Sequence, residues 1–367
     1  MRVLLIGKYP PLQGGVAARY FWLFEALKRE YDFNFKVITV AKPPYVASLD
    51  NNELSDTVKV LSVKEDTCPW FIPNCDLVTQ RIANAALMLI AQERFDIIEC
   101  NYLVPFLPAA YIVSTIAHIP LVVRPAGSDY HKFIRHKEFA VVIKEQFKHA
   151  QSIILPQDRL ADFTRLYSPS ITNKVKVLPR YIPDPQFFSF TIAKSPDKIL
   201  LTGKINKFWR LKGIDLLMKT LQDNSNIKLR CIVNGSHLDE FKSFIYSNID
   251  STRVELIDSF VTPIHMPEEI RNSVAVWNVL MAGGIEDFPN THSEAVFSGR
   301  ISITSTYLQS LPDASTIPYE LRGLVKDLSQ PKLLKADWFW HPSIKSLLCE
   351  SFQNYLTEHM RFYESVK

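Results

Sequence analysis

The sequence predicts an α/β protein built from two parallel-sheet domains. Three observations carry that prediction. Apolar, β-rich runs alternate with helical patterns through most of the 367 residues. The alternation breaks once, at the proline-rich stretch VLPRYIPDPQFFSF, and then restarts. The runs are continuous rather than polar-alternating, as strands covered on both faces require. A chain of this length favours two domains, and either half is long enough to bury a core of its own.

In the first half the strand candidates are 2–6, 35–40, 58–63, 96–99, 121–124 and 152–155. Between the first two, 17–30 has helical periodicity and carries Phe21, Phe24 and Leu27 toward a core. Pro179, Pro183 and Pro185 read as a linker. Beyond it, 199–202, 228–233, 254–257, 274–280 and 301–304 read as strands with helices between them, and 343–366 as a long amphipathic helix. Two such halves joined by a hinge place a cleft between them. Ligands of open α/β sheets bind at the carboxyl ends of the strands.

Composition excludes several classes. Aromatic residues make up 12%, and 23 prolines stand against 11 glycines, which suits ordered loops rather than disorder. No apolar run reaches the length of a membrane span, and Arg2 is followed at once by a strand-like VLLIG. The expectation is a cytoplasmic protein with neither signal peptide nor anchor. Cys68, Cys75, Cys100, Cys231 and Cys349 are odd in number and lack metal-ligand spacing, so reduced thiols are expected. The formal charge of +4 lies wholly in residues 1–185, with 22 Lys/Arg against 18 Asp/Glu; the remainder balances at 20 of each. That excess suits a phosphate-bearing partner or an anionic surface, and equally ordinary charge scatter. So small a charge, with no recognition motif, argues against nucleic acid.

Three segments carry chemistry. Glu286 and Glu294 stand in GGIEDFPNTHSEAVFSGR, and Pro289 between them argues against one continuous helix. Glu286 is expected on a loop after the 274–280 strand, and Glu294 in the first turn of a helix starting near Asn290 or Thr291. Two acids there suit a polyol or a ribose. Thr291-His-Ser-Glu294 also fits a capping box, in which Glu294 reaches back only to a backbone N–H. Near the start, Gly14 and Gly15 precede a helix, where backbone N–H groups can approach an anionic ligand; a tight turn is the plainer reading. The second half opens with a strand ending at Gly203, then Lys204, Lys207, Arg210 and Lys212, and Gly213 leads into a helix. Cations in that place can grip a diphosphate, and a solvated basic loop fits as well.

Taken in order, these segments resemble the GT-B glycosyltransferases of the retaining family 4 type. Tyr9, Pro10 and Pro11 with Gly14 and Gly15 are similar to the family's Tyr-Pro-Pro…Gly-Gly. Arg124, Pro125, Ala126, Gly127, Ser128 and Asp129 resemble its Pro-His-Gly-Ser-Asp segment. Residues 177–182 match the interdomain stretch. Gly203-Lys204 and Lys212-Gly213 are similar to its Gly-Arg…Lys-Gly. Glu286, Phe288, Pro289, Asn290 and Glu294 fit its two-glutamate motif, closed by Gly299. The likeness runs from residue 1 to about 305.

The resemblance implies the GT-B fold, two Rossmann-like domains facing a central cleft. Residues 1–182 would bind the acceptor and 183–342 the nucleotide-sugar, with a 343–367 helix packing back on the first domain. It implies a retaining transfer from a nucleotide-sugar to a glycan or lipid-linked acceptor, in bacterial surface polysaccharide or glycolipid assembly. Lys204 and Lys212 would neutralise the leaving diphosphate, with Gly203 and Arg210 beside them, so neither a metal nor another cofactor is implied. Glu294 would hold the ribose and Glu286 the donor sugar. Backbone amides around Phe288, Pro289 and Asn290 would bind sugar hydroxyls or phosphate. Gly14 and Gly15 would approach the donor phosphates. Arg124, Ala126, Gly127, Ser128 and Asp129 would lie on the acceptor side. The sequence departs from the family at Ala126, where a histidine is usual, and at Lys204, where arginine is usual; lysine keeps the charge but not the bidentate fork. A catalytically inactive binding protein and a sugar-nucleotide epimerase on the same scaffold are the rival functions. Residues 131–150 carry five Lys/Arg against two Glu, interleaved with apolar residues. They suit docking on an anionic membrane or a surface helix with one face on the sheet.

Overall fold

A computed structural model of the chain describes residues 1–41, 57–62, 77–126, 130, 133–189, 197–259, 261–281, 289–305, 325–327 and 342–367. It divides into two compact units, Met1–Tyr181 with Asn354–Lys367, and Ile182–Gln353. Cys68, Cys75, Gly127, Ser128, Asp129, Glu286 and Phe288 lie outside the described residues.

The first unit holds β1 (Arg2–Ile6), β2 (Asn34–Ala41), β3 (Val58–Ser62), β4 (Ile97–Cys100), β5 (Leu121–Val123), β6 (Ser152–Leu155) and β7 (Val175–Val177). All pair in parallel, in the order β3-β2-β1-β4-β5-β6-β7. Both faces are covered, which is why the strand runs are apolar throughout. Leu4, Ile6, Ile38 and Ile98 share a core with Ala83 and Ala86 of the Leu77–Ile90 helix and Leu107, Ala110 and Val113 of the Phe106–Ala117 helix. Phe35 of β2 faces Tyr9 and Phe24 instead, so the Gly15–Glu30 helix covers the other face. The basic segment forms a helix over Lys137–His149 whose Ile143 and Phe147 belong to the core. Its Lys137, Val141, Lys144 and Lys148 share the opposite, exposed face, with Val141 70% exposed.

The second unit repeats the plan with β8 (Lys198–Lys204), β9 (Lys228–Asn234), β10 (Val254–Ile257), β11 (Ala275–Trp277), β12 (Ile301–Thr304) and β13 (Val325–Asp327), parallel in the order β10-β9-β8-β11-β12-β13. Ile199, Leu201, Leu229, Cys231, Ala275 and Trp277 pack with the Ile214–Asp223 and Leu238–Asn248 helices around a buried Trp209. The strand expected over 274–280 is shorter than its apolar run, because the chain leaves the sheet just after the buried Asn278, whose N makes the last bond to β12, to Ile303 O at 2.8 Å. β7 and β13 were not anticipated; each has three residues with a lysine at its centre.

Candidate functional site

In both sheets the first strand has the second on one side and the fourth on the other. The direction of winding reverses there, and a crevice opens at the carboxyl ends of that strand pair. In the second unit the pair is β8 and β11. Gly203 and Lys204 end β8, and the chain returns through a short 3-10 turn, Trp209–Lys212, before the Ile214–Asp223 helix. This loop is braced. The Trp209 ring is buried against Phe241 and Phe244, Trp277 Nε1 donates to the Lys212 carbonyl at 2.8 Å, and Met281 N donates to Leu211 O at 2.9 Å. Gly213 has a φ of +65°, and a Cβ there would come within 2.5 Å of Val279 Cγ1, so only glycine fits. The result places Lys212 Nζ 3.6 Å from the point where a Gly203 side chain would begin. Lys212 is therefore carried back over the end of β8, while the Lys204 side chain there is exposed. Arg210 is placed otherwise. Its guanidinium stacks over Trp209 and Phe244, 4.5 Å from each ring, and pairs with Asp215 at 3.0 Å.

On the β11 side, the Asn290–Phe297 helix begins with Pro289 at the cap position and no capping side chain. The capping-box reading does not hold, because Thr291 lies inside the helix and its hydroxyl donates to Asn278 Oδ1 at 2.6 Å. Glu294, one turn on, is only 3% exposed. A carboxylate near a helix N-terminus is favoured by the helix dipole. Asn278 Nδ2 donates to Ser302 Oγ at 2.8 Å, and His292 Nδ1 lies 2.7 Å from the same oxygen. Burial pushes the His292 pKa down to about 4, so its ring is neutral near pH 7. Neither Asn278 nor His292 nor Ser302 was singled out in the sequence. The one signal was a polar Asn278 interrupting an apolar run.

In the first unit the corresponding pair is β1 and β4. Here a side chain fills the place. Asn101 Oδ1 accepts from Lys8 N at 2.6 Å and Asn101 Nδ2 donates to Lys8 O at 2.8 Å. A Cβ on Gly7 would fall 2.0 Å from Asn101 Oδ1, so this pairing depends on glycine. Lys8 Nζ lies 3.1 Å from the Tyr102 ring centroid. Gly14 takes the cap position of the Gly15–Glu30 helix with φ 141°, and Gly15 is exposed.

Arg124, at the end of β5, is buried in a polar cluster. Its Nε donates to Glu99 Oε1 at 3.3 Å and its Nη1 to His359 Nε2 at 3.1 Å. Tyr20 and Tyr363 each donate a hydroxyl to Glu99 at 2.5 Å. His359 Nδ1 donates to the Tyr355 carbonyl at 2.8 Å, which leaves Nε2 to accept from Arg124. Burial, and then the Arg124 charge, hold the His359 pKa well below its usual value. Arg124 Nη2 has no hydrogen-bond partner among the described residues. Ala126, two residues on, is buried.

No protein-family model matches the chain, and no curated protein matches it. Solved structures do. A Rickettsia africae glycosyltransferase superposes with a TM-score of 0.60 at 13% identity, over 100% of this chain and 98% of its own. The Anabaena protein Alr3699/HepE, in complex with UDP and glucose, does so with a TM-score of 0.59 at 14% identity, over 100% and 95%. The UDP-GlcNAc 2-epimerase of Neisseria meningitidis, bound to UDP-GlcNAc, gives 0.52 at 16%, over 100% and 94%. The chain has the GT-B fold, with a Rossmann-like parallel sheet in each unit.

Proposed function

We propose that this protein is a glycosyltransferase that moves a sugar from a nucleotide-sugar to a glycan or lipid-linked acceptor, with retention at the anomeric carbon. The observation that carries the reading is the β8–β11 crevice. Lys212 is built back over Gly203, Lys204 follows, and the helix bearing Asn290 and Glu294 begins beside it. Lysines there suit a diphosphate, and a buried carboxylate suits a ribose. UDP and UDP-GlcNAc in complexes of structurally similar proteins support a nucleotide ligand. Surface polysaccharide or glycolipid assembly is the setting proposed from the sequence resemblance.

In the proposed reaction, the bond from the anomeric carbon to the diphosphate oxygen breaks as the acceptor oxygen bonds to the same face. The acceptor's hydroxyl proton passes to the departing phosphate. Lys204 and Lys212 stabilise the charge that builds on that phosphate. Glu286 supports positive charge at the anomeric carbon, Asn290 binds sugar hydroxyls, and Gly14 and Gly15 meet the donor phosphates. With two lysines in this role, transfer is expected to proceed in EDTA. The acceptor-side residues are Arg124 and 126–129. The exposed face with Lys137, Val141, Lys144 and Lys148 is the part that would meet an anionic membrane. Sedimentation with anionic but not neutral liposomes is the expected result there.

The test is a thermal-shift screen against UDP-, GDP-, ADP- and CMP-sugars, followed by product analysis. A stabilising donor, released nucleoside diphosphate and loss of turnover in Glu286→Ala are expected. An altered sugar still attached to its nucleotide would instead make the protein an epimerase. Binding without turnover would make it a non-catalytic binder.

A further inference from the structure

We propose that His292 is a positioning residue for the nucleotide site: with Ser302, Asn278 and Thr291 it fixes the first turn of the Asn290–Phe297 helix against β11 and β12. The inference rests on the nucleotide-sugar reading above and adds to it a residue that touches no substrate. Three side-chain contacts join the four residues, Thr291 to Asn278 at 2.6 Å, Asn278 to Ser302 at 2.8 Å and Ser302 to His292 at 2.7 Å. They tie the exit of β11, the start of the helix and the middle of β12 to one another.

The direction of these bonds follows from the donors present. Thr291 Oγ gives its proton to the Asn278 carbonyl oxygen, and the Asn278 amide gives one to Ser302 Oγ. Ser302 Oγ also meets His292 Nδ1, and the tautomer of the ring sets which of the two gives the proton. Linked bonds of this kind strengthen one another by mutual polarisation, and leaving any buried member without its partner is costly. Burial keeps the ring at their end neutral.

An apolar residue would fill the same space, so the reason for a histidine lies in what the helix lacks. Its cap is Pro289, which offers no side-chain acceptor, so the cap holds the first turn only through its carbonyl, which accepts from His292 N at 3.1 Å. A first turn without a side chain from its cap residue frays more readily unless something else holds it. Here the holding bonds come from the sheet, and they reach the turn that carries Asn290 and leads into Glu294. The placement of both therefore depends on His292 and Ser302.

The test compares His292→Leu, Ser302→Ala and His292→Asn with the wild type. An asparagine side chain offers a hydrogen-bonding atom close to the Nδ1 position. A core variant away from the crevice, Ile245→Ala, serves as the control for general destabilisation; Ile245 is fully buried on the Leu238–Asn248 helix. Affinity for UDP, GDP, ADP and CMP is measured by calorimetry well below each unfolding midpoint. For whichever nucleotide the wild type binds, His292→Leu and Ser302→Ala are expected to weaken affinity roughly tenfold or more. In turnover the same two variants raise KM for the donor more than they lower kcat. His292→Asn recovers most of the affinity, and Ile245→Ala keeps it all. Wild-type affinity in folded Ser302→Ala, or a loss in Ile245→Ala equal to that in His292→Leu, overturns the positioning role alone. A wild type that binds none of the four nucleotides overturns the nucleotide-sugar reading and this inference with it.

Discussion

The two units share a strand order and differ in what stands at its reversal. In the first, Asn101 reaches across from the end of β4 and pairs with both backbone groups of Lys8, so a neutral amide ties β1 to β4. In the second, no such tie joins β8 to β11 among the described residues. The connection is made further out, through Trp277 and Met281 to the loop carbonyls, and Lys204 and Lys212 stand at the strand end. Sheet topology makes a crevice in both places, but only side chains decide whether it is bridged or lined with charge. The buried histidines differ in the same sense. His359 ends a charged cluster with Arg124 and Glu99, whereas His292 ends a neutral chain of amide and hydroxyls.

The largest effect expected from breaking this contrast is in the first unit. Glu99→Ala leaves Arg124 buried without its carboxylate, at a cost of roughly 3–5 kcal/mol in urea unfolding. Nucleotide affinity, assigned chiefly to the second unit with Gly14 and Gly15 of the first in a lesser part, should change little; a parallel loss would mean that the division of labour is wrong. Next is acid. The unfolded chain has ordinary imidazoles near 6.5, while His292 titrates near 4 and His359 well below its usual value. Between those values the unfolded state binds more protons, so the stability is present above the window and is lost as pH falls through it. His292 alone accounts for roughly 3 kcal/mol of that loss, and His292→Asn should flatten the curve of unfolding midpoint against pH. A slope unchanged in that variant would assign the effect to the first unit.

Smaller effects sharpen the second unit's side of the comparison. Lys212→Ala should weaken nucleoside-diphosphate binding by about 2 kcal/mol, near thirtyfold, with little change in Tm. Unchanged affinity in calorimetry would remove the lysine from the site. Arg210→Ala should matter least. Its partners are Asp215 and two rings of its own unit, and an exposed pair of this kind contributes no more than about 1 kcal/mol. An affinity loss as large as that of Lys212 would bring Arg210 back among the donor-binding residues.

Much of the fold was legible in the chain. The continuous apolar runs anticipated both parallel sheets, and 2–6, 152–155, 254–257 and 301–304 coincide with β1, β6, β10 and β12. What escaped were edges and exits. β7 and β13 are VKV and VKD, too short and too polar for a periodic pattern to register. The run over 274–280 hid the point at which β11 ends, because Val279 and Leu280 are buried by tertiary packing after the strand has stopped. Of the candidate site, the basic loop and the Glu294 helix were visible as segments. The role of Trp209 in bracing that loop was not, since an aromatic residue among cations says nothing about which of them it will face.

The sequence by itself determined the two α/β halves, the proline break between them, and the order of the glycine, lysine and glutamate segments, because periodicity and turn chemistry are local. Tertiary structure decided the partners. Glu99 meets Tyr363 across 264 residues, and Arg124 meets His359 across 235. His292 and Ser302 are near in the chain, yet they meet only because the helix folds back onto β12. It also set Lys212 over Gly203 and turned Arg210 onto Trp209 and Phe244, two cations in one loop with different neighbours. Such partnerships depend on which buried polar groups packing brings within hydrogen-bond reach, and nothing in the local pattern encodes that distance.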